Sequence, residues 1–345
     1  MTDVLAGAFN ATELRAQHFD PVEYIVPGMI PEGLSLLVAA PKIGKSWLVL
    51  GLAAAAAAGG TAFGALRVSQ RPVLYLALED GPRRLKDRLT SIQAPQALDQ
   101  LTFLTELTGS VLDVVEAFLQ AHEGSKPLVI LDTLGKVMPP ARPNEPQYER
   151  DYRIGSALKR AIDSVPGAAL IVVHHTRKAQ AEDFVETASG TNGLTGAADT
   201  IMVLRRERNS ANATLSVTSR DAAEGEYALT IDDHGHWRLE GATLADAKRA
   251  ARTHTATAKL GDGSAAIVEL LNQFPNGVSA RDASLASGMD EHYVRNILVR
   301  MHKANRIQRV GRGLYAPLPM TPGASDASDA NQGSNAPLAS LASAS

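Results

Sequence analysis

The 345-residue chain contains no cysteine. That excludes disulfides and every thiolate-held zinc or iron–sulfur centre, and it agrees with a reducing cytoplasm as the expected location. Aromatic side chains are scarce, at 5 %, and only two are tryptophan. Neither sign of charge is in large excess, since 34 Lys and Arg face 37 Asp and Glu for a net charge of -3. A polyanionic partner must therefore be met by a local patch and not by the molecule as a whole. The most apolar stretch, "WLVLGLAAAAAA" at 47–58, is shorter than a bilayer needs and is stopped by Gly59 and Gly60, so no membrane association is expected. The first twenty residues lack the basic start and apolar run of a signal peptide. With 45 % hydrophobic and 21 % charged residues, the chain has the composition of a soluble protein long enough for two cores.

One further absence is a single glycine. "LSLLVAAPKIGKSWLVLGL", from Leu34 to Leu52, follows the phosphate-loop pattern G-x-x-x-x-G-K-[ST] except that Ala39 occupies the first position. In such a loop, backbone N–H groups at a strand-to-helix turn surround the phosphates and the helix N-terminus adds positive potential. The residues expected to line it are Ala40, Pro41, Lys42, Ile43, Gly44, Lys45, Ser46 and Trp47. Lys45 would reach the β- and γ-phosphate oxygens, and Ser46 would ligate Mg²⁺. The first glycine serves the turn, so alanine is tolerable there if its φ is negative.

Three more strand ends carry polar residues. "PLVILDT" is an apolar strand closing on Asp132, placed to bind the Mg²⁺ shell through water or, alternatively, to cap the next turn. "PVLYLALEDGP" ends in Glu79 and Asp80; Glu79 is the better candidate for polarising an attacking water, the alternative being that both acids favour the N-terminus of the following helix. "ALIVVHHTRK" closes on His174 and His175, of which one is expected to sense the γ-phosphate.

The region from about 19 to 240 alternates such strands with helical stretches, as in a mostly parallel sheet covered by helices on both faces. "LTFLTE" and "DTIMVLRR" complete the parallel set, and "ATLSVTSR" and "YALTIDD" read as an antiparallel extension. Residues 1–18 form an N-terminal segment, and 241–262 an Ala- and Thr-rich linker, part helical. Residues 263–319 read as helix, helix capped by Ser279 and stopped by Gly288, helix capped by Asp290, and a hairpin around Gly-Arg-Gly, which is the pattern of a winged helix-turn-helix. Residues 320–345 have the composition of a disordered tail.

"APKIGKS", "YLALED", "VILDT", "VVHHTRK" and "SGTNGLTGAADTIMVL" occur in the order found in RecA-like P-loop ATPases. Over roughly Tyr24 to Asp232 the chain resembles the hexameric replicative helicases of the RepA and DnaB type and their phage-encoded relatives. The resemblance implies that Lys45 and Ser46 bind ATP and Mg²⁺, that Glu79 is the catalytic base, Asp132 the Walker B acid, and His175 or His174 the sensor. It implies a homo-oligomeric ring whose sites lie between subunits, completed by a neighbour's Arg220, Arg205 or Arg206. It also implies channel loops that meet single-stranded DNA, here 135–152 with Lys136, Arg142 and Arg150, and 178–196 with Lys178. The acids Glu182, Asp183 and Glu186 in the second loop depart from a simple basic contact.

Between Glu291 and Arg312 stand Arg295, Arg300, Lys303, Arg306, Arg309 and Arg312 against one acid. A recognition helix and wing would use these for duplex phosphates, with His292, Tyr293 and Asn296 near base edges, although a protein-docking module carries a similar face. The expected function is an ATP-driven helicase or translocase on single-stranded DNA; the alternative is an ATP-switched DNA-binding regulator or recombination mediator.

Overall fold

The computed structural model describes residues 7–175, 192–207, 210–258 and 262–318. It divides into two compact units between Ala247 and Lys248. The first unit is built on a nine-stranded sheet. In chain order its strands are β1 (Gly33–Ala39), β2 (Val73–Ala77), β3 (Leu101–Leu104), β4 (Leu128–Asp132), β5 (Ala169–His175), β6 (Thr200–Arg206), β7 (Asn212–Ser219), β8 (Gly225–Ile231) and β9 (Trp237–Leu239). Their spatial order is β9-β8-β7-β6-β1-β5-β4-β2-β3. Strands β6, β1, β5, β4, β2 and β3 run parallel, and β7, β8 and β9 extend the sheet antiparallel from β6. This is the mixed α/β build that the alternating pattern predicts; the short β9 adds a strand that the pattern does not reveal.

The sheet is covered on both faces, which is why its central strands are apolar throughout. On β1, Leu37 and Ala39 pack with α1 (Lys45–Ala58), whereas Leu34, Leu36 and Val38 face the opposite layer. That layer contains α3 (Val111–Ala121), α4 (Gln147–Asp163) and α5 (Asn192–Ala197), while α2 (Pro82–Ser91) lies with α1. Two-residue periodicity thus feeds two separate cores from one strand. Along α1 the run Ala53–Ala57 is buried, and Gly59 closes the helix in a left-handed conformation with its N–H on the Ala55 carbonyl. Gly193 of α5 has no room for a side chain, because a Cβ there would collide with the Tyr148 carbonyl and the Tyr152 nitrogen of α4.

A helix α6 (Leu244–Ala258) spans the division between the units, where the sequence reads as a partly helical linker. The second unit contains α7 (Asp262–Gln273), α8 (Ala280–Ser287) and α9 (Glu291–Lys303) around a three-stranded sheet of β10 (Val278–Ser279), β12 (Leu314–Pro317) and β11 (Ile307–Gly311), in that order. The Ser279 side chain accepts from the Asp282 N–H and the Asp290 side chain from the Tyr293 N–H, so each cap satisfies an orphan donor of the helix it starts. Val294, Ile297, Leu298 and Met301 form the buried stripe of α9 and pack with Ile267, Leu271 and Tyr315. The segment 320–345 lies outside the described residues.

Candidate functional site: a phosphate loop at the sheet's edge

Parallel register brings the polar strand ends together. Ala39 of β1 lies beside His175 of β5, and Ala77 of β2 lies beside Asp132 of β4. The chain segments leaving β1, β2, β4 and β5 therefore share one edge of the sheet, where ligands bind in open α/β folds. Ala39 is a strand residue without positive φ, so its Cβ costs the loop nothing. Positive φ is needed later, at Gly44, whose φ of 103° starts α1. A side chain at Gly44 would be strained whatever the space around it.

Lys45 is only 4 % exposed. Its Nζ donates to the Ala39 carbonyl at 3.0 Å and the Ala40 carbonyl at 2.8 Å, and lies 2.9 Å from Nδ1 of His175. Burial lowers its pKa to about 8, against the pull of Asp132 and Glu79. On the other side of the His175 ring, Nε2 lies 3.4 Å from Oε1 of Glu79. Glu79 Oε1 in turn accepts from the Thr133 hydroxyl at 3.0 Å. A cation, an imidazole and a carboxylate thus form one chain of contacts across three strand ends.

The two pairs left open by the sequence are separated by their surroundings. Asp80 is buried and paired with Arg84 at 3.0 Å and with Arg88, both on α2, whereas Glu79 turns toward His175. His174 is not part of the contact chain; burial, and then His175 and Lys45, push its pKa down to about 4, which leaves it neutral.

Asp132 is 2 % exposed. Its Oδ2 accepts from the Tyr75 hydroxyl at 2.9 Å, while Oδ1 is buried without a hydrogen-bond partner. Burial raises its pKa, and interactions with the Ser46 and Tyr75 hydroxyls oppose the rise. An orphaned carboxylate oxygen near a hydroxyl at a helix N-terminus is a donor set that suits hydrated Mg²⁺. The glycine-started helix, Lys45 and this carboxylate fit a magnesium-bound nucleoside triphosphate.

The remaining candidates do not join this cluster. Arg220 follows β7 at the opposite edge: Ser219 pairs with Thr200, Thr200 with Ser35, and Ser35 lies four residues, or about 13 Å, from Ala39. Its side chain is 67 % exposed and 3.7 Å from Asp199. Arg205 and Arg206 follow Leu204, the register partner of Ala39, and stand on the loop's own edge. In the 135–152 segment, Arg150 donates to the carbonyls of Pro139 and Met138, and Lys136 lies in a short 3-10 turn. Lys178 lies outside the described residues. In the second unit Arg295 pairs with Glu291 at 2.6 Å, Arg300 donates to Ser264 at 2.7 Å, Arg309 donates to the Gly311 carbonyl, and Lys303 and Arg312 are exposed.

Three partners of the site are not foreseen by the sequence. Tyr75 carries a signal, since a hydroxyl in the apolar run "VLYLA" demands a partner. Thr133 adjoins Asp132 but has nothing in its spacing that points to Glu79. Trp237, whose indole N–H donates to the Gly44 carbonyl at 3.1 Å, is 193 residues away from it and has no local signature.

Residues 6–181, just over half of the chain, match the AAA_25 family, described as an AAA domain, and the chain belongs to that family. The match falls within the first unit, on the α/β core that carries the phosphate-loop sequence. Among solved structures, the chain is similar to a DnaB-like replicative helicase described with its interactions with primase, at 17 % identity and a TM-score of 0.48, covering 60 % of this chain and 57 % of that one. The chain thus spans somewhat over half the length of that helicase. It is also similar to a KaiC-like protein from the hyperthermophilic archaeon Pyrococcus horikoshii OT3, at 13 % identity and a TM-score of 0.43, covering 64 % of this chain and 99 % of that one. No helix among the described residues is long and apolar enough to cross a membrane.

Proposed function

We propose that the protein is an ATP-hydrolysing, DNA-associated motor, a replicative helicase or helicase-like translocase on single-stranded DNA, working in the cytoplasm as a hexameric ring. The observation that carries the hydrolytic part is the contact chain from Lys45 through His175 to Glu79, at 2.9 and 3.4 Å. Bound ATP supplies the phosphoryl group, and Mg²⁺ neutralises its charge. The chain's own residues do the rest. Lys45 leaves the Ala39 and Ala40 carbonyls for the phosphate oxygens, Ser46 and Asp132 hold the ion's shell, and Glu79 orients water and accepts its proton. Lys45 and Glu79 sit on opposite nitrogens of His175, so a ligand that draws Lys45 away changes the hydrogen bonding of Glu79. That coupling is what a sensor requires.

The DNA part of the reading rests on the second unit. Three helices and a hairpin that pairs with β10 have the order of a winged helix, with α9 as recognition helix and Arg312 in the wing turn. Residues 263–319 are its domain, 19–240 the ATPase domain, and 241–262 the connection. Duplex phosphates are met by Arg295, Arg300, Lys303, Arg309 and Arg312, while single-stranded DNA is met in the ring. Completion of each site by a neighbour's arginine assigns Arg220, at the far edge of the sheet, to the subunit that donates it. Steady-state ATP hydrolysis with and without single-stranded DNA, followed by fork unwinding, tests the proposal. Stimulation by DNA and strand separation are expected; nucleotide binding with no DNA-stimulated turnover contradicts the motor and favours the ATP-switched regulator.

A further inference from the structure

One side chain reaches the phosphate loop from the far end of the sheet, well beyond the residues that match the family. We propose that Trp237 is a positioning residue that sets the direction of the Lys45 backbone N–H toward the nucleotide's phosphates. The inference rests on the nucleotide-binding reading above. The Gly44 carbonyl accepts two hydrogen bonds, from the Leu48 N–H at 3.0 Å, as in any helix, and from the Trp237 indole at 3.1 Å. In a trans peptide the N–H of one residue points opposite to the carbonyl of the residue before it. Fixing the Gly44 carbonyl therefore fixes the Lys45 N–H, which at the first position of α1 has no acceptor within the helix.

The indole also limits where Gly44 can go. A Cβ on Gly44 would meet the Trp237 ring at 3.0 Å and Ile231, its strand partner, at 3.2 Å. The ring thus closes one side of a residue whose left-handed backbone is otherwise free to pivot.

Trp237 is itself held in place. It is 7 % exposed, and the turn before it is anchored at several points. Asp232 accepts from the N–H groups of His234 and His236, His236 Nε2 lies 2.8 Å from the Ile92 carbonyl at the end of α2, and Ser91 donates to the His234 carbonyl. Gly235 lies so close to the Trp47 ring that a side chain there would collide with it. The antiparallel extension therefore presses on the loop through a fixed point, which explains a use for β9 that burial of an edge strand alone does not.

The test compares Mg-ATP binding by the wild-type protein and Trp237→Phe, which keeps an aromatic ring against Gly44 and removes the N–H. Loss of the positioning that this bond provides predicts an affinity roughly fivefold to tenfold weaker, an effect no larger than one neutral hydrogen bond. KM should rise by a similar factor with kcat little changed, as when ground state and transition state are weakened alike, and Tm should fall by no more than a few degrees. Wild-type binding with equal affinity in Trp237→Phe overturns the proposal and leaves nucleotide binding standing; no binding by the wild type overturns both. If Trp237→Phe does not fold, 5-fluorotryptophan in the wild-type protein decides by ¹⁹F NMR, since its two resonances can be assigned with Trp47→Phe. A shift of the Trp237 resonance on adding Mg-ATP supports the proposal, and an unmoved resonance overturns it.

Discussion

Lys45 shows how one residue ties burial to ligand affinity. Burial, the dominant influence, brings its pKa from 10.5 in the exposed chain to about 8. Below pH 8 the ammonium is present in both folded and unfolded protein, and the folded state bears the full cost of burying it. Between pH 8 and 10.5 the folded protein has released that proton while the unfolded chain keeps it, so this residue's destabilising effect fades as pH rises. Phosphate binding needs the charged form. Above pH 8 the free protein must take up a proton to bind, and affinity for Mg-ATP should fall by up to tenfold per pH unit, with calorimetry in buffers of different ionisation enthalpy showing about one proton taken up per ligand. Affinity that is flat from pH 7 to 10 would contradict the buried-lysine description.

Much of the site is legible residue by residue, because strand ends carry their chemistry locally. Ala39 reads as tolerable and stands in an ordinary strand. The choices between Glu79 and Asp80 and between His174 and His175 are not decidable locally, because each depends on what the neighbouring strand presents. Asp80 meets Arg84 and Arg88 one and two turns along α2, a spacing that is visible in hindsight at i+4 and i+8. His175 meets Lys45 and Glu79 only through the order of strands. Trp237 is out of reach for the same reason: nothing near it in the sequence refers to Gly44.

At the scale of elements, α2 begins on a buried carboxylate that two arginines neutralise. Asp80→Asn should lower stability by about 2 kcal/mol, as expected when charged hydrogen bonds are removed, and should leave the rate of ATP turnover within a few-fold of wild type. Urea unfolding and a turnover assay on the same sample check both halves; a stable but inactive variant would move the base from Glu79 to Asp80. The packing of α4 on α5 depends on Gly193, and Gly193→Ala should cost about 1–3 kcal/mol through overpacking. In α9 the buried stripe turns Arg295, Arg300 and Lys303 outward, although Arg295 and Arg300 already hold Glu291 and Ser264. Replacing Arg295, Lys303 and Arg312 by alanine should weaken duplex binding and reduce the log–log salt slope by about one for each DNA phosphate that is no longer neutralised. Fluorescence anisotropy across a salt series with an unchanged slope would make this unit a protein-docking module.

The helices of the second unit are legible because their caps are local: Ser279, Gly288 and Asp290 mark ends that lie where the pattern puts them. The short strands β9 and β10 are not, since two or three residues carry no periodicity and pair only because a neighbouring strand is already in place.

At the scale of the whole molecule, the proposed function divides the work between the two units, nucleotide on the first and duplex on the second. A chain ending at Gly261 should keep ATP turnover and its stimulation by single-stranded DNA while losing duplex affinity, measured by the same anisotropy assay. Retained duplex binding would place that surface on the first unit.

In the proposed function the cluster at the ends of β1, β2, β4 and β5 hydrolyses ATP with Glu79 as base. That role is tested most directly by measuring phosphate release and Mg-ATP binding together for the wild-type protein and Glu79→Gln, which keeps the side chain's volume and removes the base. The predicted result is affinity within a few-fold of wild type and turnover at least about a hundredfold lower. Glu79→Gln that releases phosphate at the wild-type rate, or wild-type protein that binds Mg-ATP and never releases phosphate, would contradict it.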